Sequence, residues 1–97
     1  MSQVVLIDSD VIIGAALERD QHHDRAKPIV DGIDQSRLPK AVLSDYIYME
    51  VVNYLTKKLN TEDCSDFLNR LVASENYRIY RVADRHYKAG KDDIYYT

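Results

Sequence analysis

Asp8 and Asp10 flank Ser9 inside the stretch "VVLIDSDVII", which is otherwise apolar. Glu50 interrupts "IYMEVVNYL" in the same way. A carboxylate in a segment of this hydropathy is costly to bury unless it is paired, hydrogen-bonded or bound to metal. Two acids converging from a strand end and a neighbouring helix suit a hard divalent cation, which keeps several waters and takes further ligands from substrate phosphates. Such an ion polarises a phosphoryl group and activates water for phosphodiester hydrolysis.

The elements that must position these acids alternate. Gln3 to Ile7 is a continuous apolar run, the pattern of a parallel strand covered on both faces. Ser9 or Asp10 can cap a helix from about Val11 to Glu18. "RDQHHD" is a polar connection, and a second helical stretch runs from Asp24 to about Gln35, with Pro28 in its first turns and Gly32 weakening its end. "SRLPK" is a turn and "AVLS" a second buried strand. Ser44 starts a long helix in which Ile47, Val51, Leu55 and Leu59 recur every four residues. Thr61 caps the next helix, with Cys64, Phe67, Leu68, Leu71 and Val72 as its apolar stripe. "NYRIYRVA" reads as a third strand, with Tyr77 and Ile79 on one face and Arg78 and Tyr80 on the other. A short helix over Asp84 to Gly90 and the stretch "KDDIYYT" complete the chain.

Strands alternating with helical connections predict an α/β layer fold with a parallel sheet. In such a sheet, ligands bind beyond the carboxyl ends of the strands. That is where the first strand delivers Asp8. Asp10 is either a supporting group or a charge favouring a helix N-terminus. Glu50 is either a site acid or a residue on a solvated edge beside Asn53.

Size and composition bound the rest. A chain of 97 residues makes one domain, residues 1–97, with a modest core. Its 45% hydrophobic and 30% charged content exclude disorder. No apolar run is long enough for a membrane span or a signal sequence, so a cytoplasmic location is expected. The single Cys64 permits no intrachain disulfide and reads as a buried thiol. A net charge of −3 argues against a strongly basic nucleic-acid module, yet it does not separate a nuclease from a bland acidic domain. Arg78, Arg81, Arg85 and Lys88 form the candidate phosphate-contacting group. His22 and His23 beside Asp24 lack a second ligand pair and read as surface-loop residues. Lys57 and Lys58 end a helix, where cations favour its dipole. The eight tyrosines read mainly as packing residues with their hydroxyls outward, with base stacking the alternative.

"VVLIDSDVIIGAALERDQHHDRA" resembles the opening of a PIN domain, particularly of VapC-type toxins. There an Asp ending the first strand precedes a small hydroxyl residue, an Asn or Asp, and an apolar helix. His23 and Ala26 fit the same opening. "VLSDYIYMEVVNYL" resembles the family's second block, in which a Glu sits in the helix after the second strand. The resemblance implies a PIN-like three-layer α/β/α fold with a parallel sheet. It implies Asp8 and Glu50 as catalytic and metal-binding acids for Mg²⁺ or Mn²⁺, with Ser9 and Asp10 supporting them. It further implies RNA as substrate, a cognate antitoxin as partner, and a homodimer. The family's third block opens a helix with Ser or Thr followed by Asp. "DDIYYT" resembles only the approach to it, so the C-terminal part of the domain is expected to be missing.

Two other readings stay open. One is a non-catalytic PIN-like module that dimerises or binds an antitoxin. The other is a haloacid-dehalogenase-type phosphohydrolase, since "LIDSDV" also fits that superfamily's Asp-x-Asp opening, with Asp8 as nucleophile and Asp10 as general acid. Glu50 has no role there.

Overall fold

The computed structural model describes residues 3–81, in which strands and helices follow the expected order. β1 (Val4–Leu6) leads through α1 (Ser9–Ala16) and α2 (His23–Asp34) to β2 (Lys40–Ser44). α3 (Asp45–Lys58) and α4 (Thr61–Ala73) then lead to β3 (Tyr77–Tyr80). The strands are parallel and lie in sequence order, with Val5 opposite Ala41 and Ala41 opposite Tyr77. The helix expected over 84–90 and the stretch "KDDIYYT" lie outside the described residues.

Register and the alternation of strand side chains assign each residue a face. Val5, Ile7, Ala41, Leu43, Tyr77 and Ile79 all belong to one apolar cluster. The same cluster takes Ile12 and Ile13 from α1, Ile33 from α2, Val51 and Leu55 from α3, and Cys64 and Leu71 from α4. All four helices therefore cover one face of the sheet. Handedness requires this: two right-handed crossovers stepping the same way along a sheet put both helix pairs on one side. The other face carries Val4, Leu6, Val42 and Arg78, and Val4 and Leu6 are 57% and 60% exposed. Among the described residues no second helical layer covers it.

Local chemistry sets the helix boundaries. Asn60, not the expected Thr61, caps α4: its side chain accepts from the Asp63 N–H at 2.7 Å. Asparagine presents its carbonyl to the first turn better than threonine presents its hydroxyl. α2 ends in a turn where the Gly32 carbonyl accepts from the Arg37 and Leu38 N–H groups and Ser36 adopts a left-handed φ of 61°. Gly14 lets α1 and α2 approach closely, since a Cβ there would lie 3.1 Å from that of Ala26. Val72, expected on the α4 stripe, is 56% exposed, because Cys64 and Leu71 centre the buried face. Cys64 is buried, as expected.

Candidate active site

β1 runs into Ile7, whose N–H donates to the Val42 carbonyl at 3.0 Å, and Asp8 follows at the carboxyl edge. Asp8 is extended, with φ −95° and ψ 160°, and its Oδ1 accepts the Ser9 N–H at 2.7 Å. The cap of α1 is thus Asp8 itself rather than Ser9 or Asp10. The backbone is still extended at Asp8, and α1 begins directly at Ser9, two residues earlier than expected. Ser9 is buried, its hydroxyl 3.5 Å from the same carboxylate oxygen. Asp8 stays exposed while its neighbour fixes its orientation.

Asp10 is exposed in the first turn of α1. It borders a shallow depression of about 260 Å³ together with His22 and Arg25. The histidines are not the surface-loop pair that the sequence suggests. Both are half-buried, and His23 Nδ1 lies within α2 and donates to the Gly14 carbonyl at 2.8 Å. That bond ties α2 to α1, a structural use that excludes Nδ1 from holding a metal.

Ser44 ends β2 and caps α3, its hydroxyl accepting from the Ile47 N–H at 3.2 Å. The start of α3 therefore stands at the same carboxyl edge as Asp8. Glu50 is exposed, which fits the solvated-edge alternative, although the hydropathy of its segment suggests burial. Ile47, Val51 and Leu55 take the core-facing stripe of α3, which turns Glu50 outward with Tyr46 and Met49. Burial therefore places no demand on Glu50 for a partner, and only its place on α3 supports a site role.

Among the described residues, no group of three or more His, Cys, Asp or Glu side chains is arranged to hold a metal ion. The donors at the edge are hard carboxylate oxygens, the right kind for Mg²⁺ or Mn²⁺. They fit an ion largely completed by water and phosphate and do not amount to a protein-built cage. Arg78 and Arg81 are both exposed. Arg78 lies opposite Val42, on the sheet face away from the helices, and Arg81 follows the end of β3. Arg85 and Lys88 lie outside the described residues.

Sequence patterning missed a second feature. A groove of about 1290 Å³ runs between α2 and α4, near the C-terminal ends of α1 and α3. This is the amino edge of the sheet, away from Asp8. Tyr77, the first residue of β3, is only 8% exposed there, and its hydroxyl lies near the Asp34 carboxyl without a hydrogen bond of good geometry. Burial, then the nearby Asp34 charge, pushes the Tyr77 phenol well above its ordinary value of 10.0. Burial likewise raises the Asp34 carboxyl. The one available signal was Tyr77 itself, a hydroxyl-bearing residue on the core-facing side of β3.

No family model matches this sequence, and no curated protein matches it. The fold does find a match in the crystal structure of Mycobacterium tuberculosis VapC20, a sarcin-ricin loop cleaving toxin, with a TM-score of 0.66. The fold is PIN-like. The match covers 90% of this chain and 63% of the VapC20 chain, at 17% identity, so the likeness is one of fold. This PIN-like sheet places Asp8 at its carboxyl edge and starts α3, the helix that carries Glu50, from the same edge. No helix among the described residues is long and apolar enough to cross a membrane.

Proposed function

We propose that this chain is a metal-dependent endoribonuclease of the PIN type, the toxin of a toxin–antitoxin pair, acting on RNA in the cytoplasm. The observation that carries this reading is Asp8, held exposed at the carboxyl edge of a PIN-like sheet by the Ser9 N–H. Asp8 and Glu50 would hold Mg²⁺ or Mn²⁺, which when bound supplies positive charge to polarise the scissile phosphoryl group. Ser9 fixes one oxygen of Asp8 and leaves the other free to turn outward. Asp10 adds negative charge beside it, and Arg25 and Arg81 stand as candidate cations for the flanking phosphates. The groove between α2 and α4 suits the antitoxin: its floor is apolar, with Phe67 and Leu71, and its rims carry charges of both signs, Asp34, Asp63 and Asp66 beside Lys27, Lys58 and Arg70. A homodimer is part of the same reading.

The test is cleavage of structured RNA by purified protein with and without Mn²⁺, with Asp8→Asn and Glu50→Gln beside the parent. Loss of cleavage and of Mn²⁺ binding in both variants supports the reading. Metal-dependent cleavage that survives both changes would sink it. The second reading is a non-catalytic PIN-like module. That reading requires antitoxin binding without cleavage by the parent protein.

A further inference from the structure

The depression between the start of α1 and the first two turns of α2 is lined by an acid and a base that do not pair. Its polar lining is Asp10, His22 and Arg25, and its apolar lining is Val11, Ala26 and Ile29. Asp10 and Arg25 are both exposed. Among the described residues no ion pair links them, and no hydrogen bond engages the Asp10 carboxylate. Arg25 Nη2 instead lies 3.5 Å from His22 Nδ1. A guanidinium only donates, so Nδ1 accepts and the imidazole proton sits on Nε2. The His22 backbone is held in turn by Asp20, whose Oδ2 accepts its N–H at 2.9 Å. One edge of the Arg25 fork is thereby steadied, and its other N–H groups stay unengaged.

An apolar surface flanked by an acceptor-only group and a donor-only group complements a flat ring with donors on one edge and acceptors on the next. A phosphate fits less well, because Asp10 would repel what Arg25 attracts. Ala26 is buried and Ile29 is 40% exposed, so the depression has open apolar surface for a ring face. Its volume of about 260 Å³ falls below the usual range for a whole small-molecule ligand and suits a single ring system.

We propose that this depression binds one guanine base. The two Asp10 oxygens accept from N1–H and the N2 amino group, and Arg25 donates to O6 and N7. Guanine alone among the four bases offers two neighbouring donors and two neighbouring acceptors. Adenine, cytosine and uracil each leave an oxygen of Asp10 or an arm of Arg25 without a partner. Asp10 follows Asp8 by two residues, so in an RNA this guanine would neighbour the phosphodiester that the ribonuclease reading brings to Asp8. The same base can arrive on a free nucleotide, and the donor set does not depend on that reading.

The experiment titrates guanosine, adenosine, cytidine and uridine monophosphates into nitrogen-15-labelled protein without divalent cations, following the Val11 and Ala26 amides. Guanosine monophosphate is expected to bind roughly tenfold tighter than the other three. Inosine monophosphate, which lacks the N2 amino group, and the 7-deaza analogue, which lacks N7, should each lose most of that advantage. Asp10→Asn and Arg25→Ala, both at exposed positions, should bring guanosine monophosphate down to the level of the others. Equal binding of all four by the parent overturns the proposal. So does an Arg25→Ala loss that is uniform across the four, which marks a phosphate contact instead. Two short RNAs that differ only in a central guanine or adenine separate the sources. A guanine preference larger than that of the mononucleotides identifies RNA, and a smaller one identifies a free nucleotide. Metal-dependent cleavage through Asp8 without guanine preference removes the base site and leaves the ribonuclease reading. Guanine binding without cleavage does the reverse.

Discussion

Asp8 and Ser44 stand at the ends of neighbouring parallel strands, each two residues past the paired Leu6 and Val42, and each caps the helix that follows it. Capping and chemistry thus share one carboxylate at Asp8, and substitutions can separate them. Asparagine caps about as well as aspartate, whereas alanine does not cap. Asp8→Asn should keep the parent's urea midpoint while lowering cleavage by roughly a hundredfold or more, the loss of several kcal/mol of charge stabilisation. Asp8→Ala should lose cleavage equally and about 1 kcal/mol of stability besides. Ser44→Ala should show a similar stability loss, read from the same urea titrations.

Glu50 carries no structural duty that the described residues reveal, being exposed on the outward face of α3. Glu50→Gln should therefore change stability by no more than about 0.5 kcal/mol, as surface substitutions usually do. Its effect should appear instead in Mn²⁺ affinity, followed by calorimetry, and in cleavage rate. A variant that unfolds more readily but binds Mn²⁺ like the parent would mean that Glu50 is structural after all.

Alternation of apolar strands with amphipathic helices was enough to read the layer fold, because parallel strands and the α3 and α4 stripes have distinct periods. Asp8 was legible for the same reason: a strand that ends on an acid fixes where that acid emerges. Glu50 was harder. "IYMEVVNYL" is apolar on nearly every side, so hydropathy suggests burial all round, yet the core takes only the Ile47, Val51 and Leu55 stripe. The exposed Tyr46 and Met49 are what made the segment look buried. Which residue caps a helix was equally hidden at Asp8, where Ser9 or Asp10 was expected, and at Asn60, where Thr61 was expected. The groove at Tyr77 depends on how two helix pairs splay across the sheet, which no local pattern encodes.

Leu55 and Val72 test the register of the helical faces. Leu55 is fully buried within the main cluster, whereas Val72 belongs to an exposed face of α4. Leu55→Ala should cost about 2–5 kcal/mol, from lost transfer energy and the cavity left behind. In a domain this small that is a large part of the total. Val72→Ala should stay within about 0.5 kcal/mol. Chemical denaturation of both variants under identical conditions checks the contrast.

Tyr77 offers a stability test whose sign depends on pH. Its hydroxyl is buried beside Asp34 without a hydrogen bond of good geometry, so Tyr77→Phe removes a poorly satisfied polar group and should change stability near pH 7 by no more than about 1 kcal/mol. Burial and the Asp34 charge hold the folded phenol's pKa above the ordinary value of 10.0. The neutral ring's contribution is therefore complete below pH 10. As pH rises beyond that, the unfolded chain releases its proton first, and stability falls until the folded phenol ionises as well. Phenylalanine has no proton to release, so the variant should lose less stability than the parent between pH 8 and pH 10.5. Urea midpoints for both proteins across that interval supply the measurement. Parallel curves would mean that the Tyr77 hydroxyl meets water or another partner in solution, and that the floor of the groove is open.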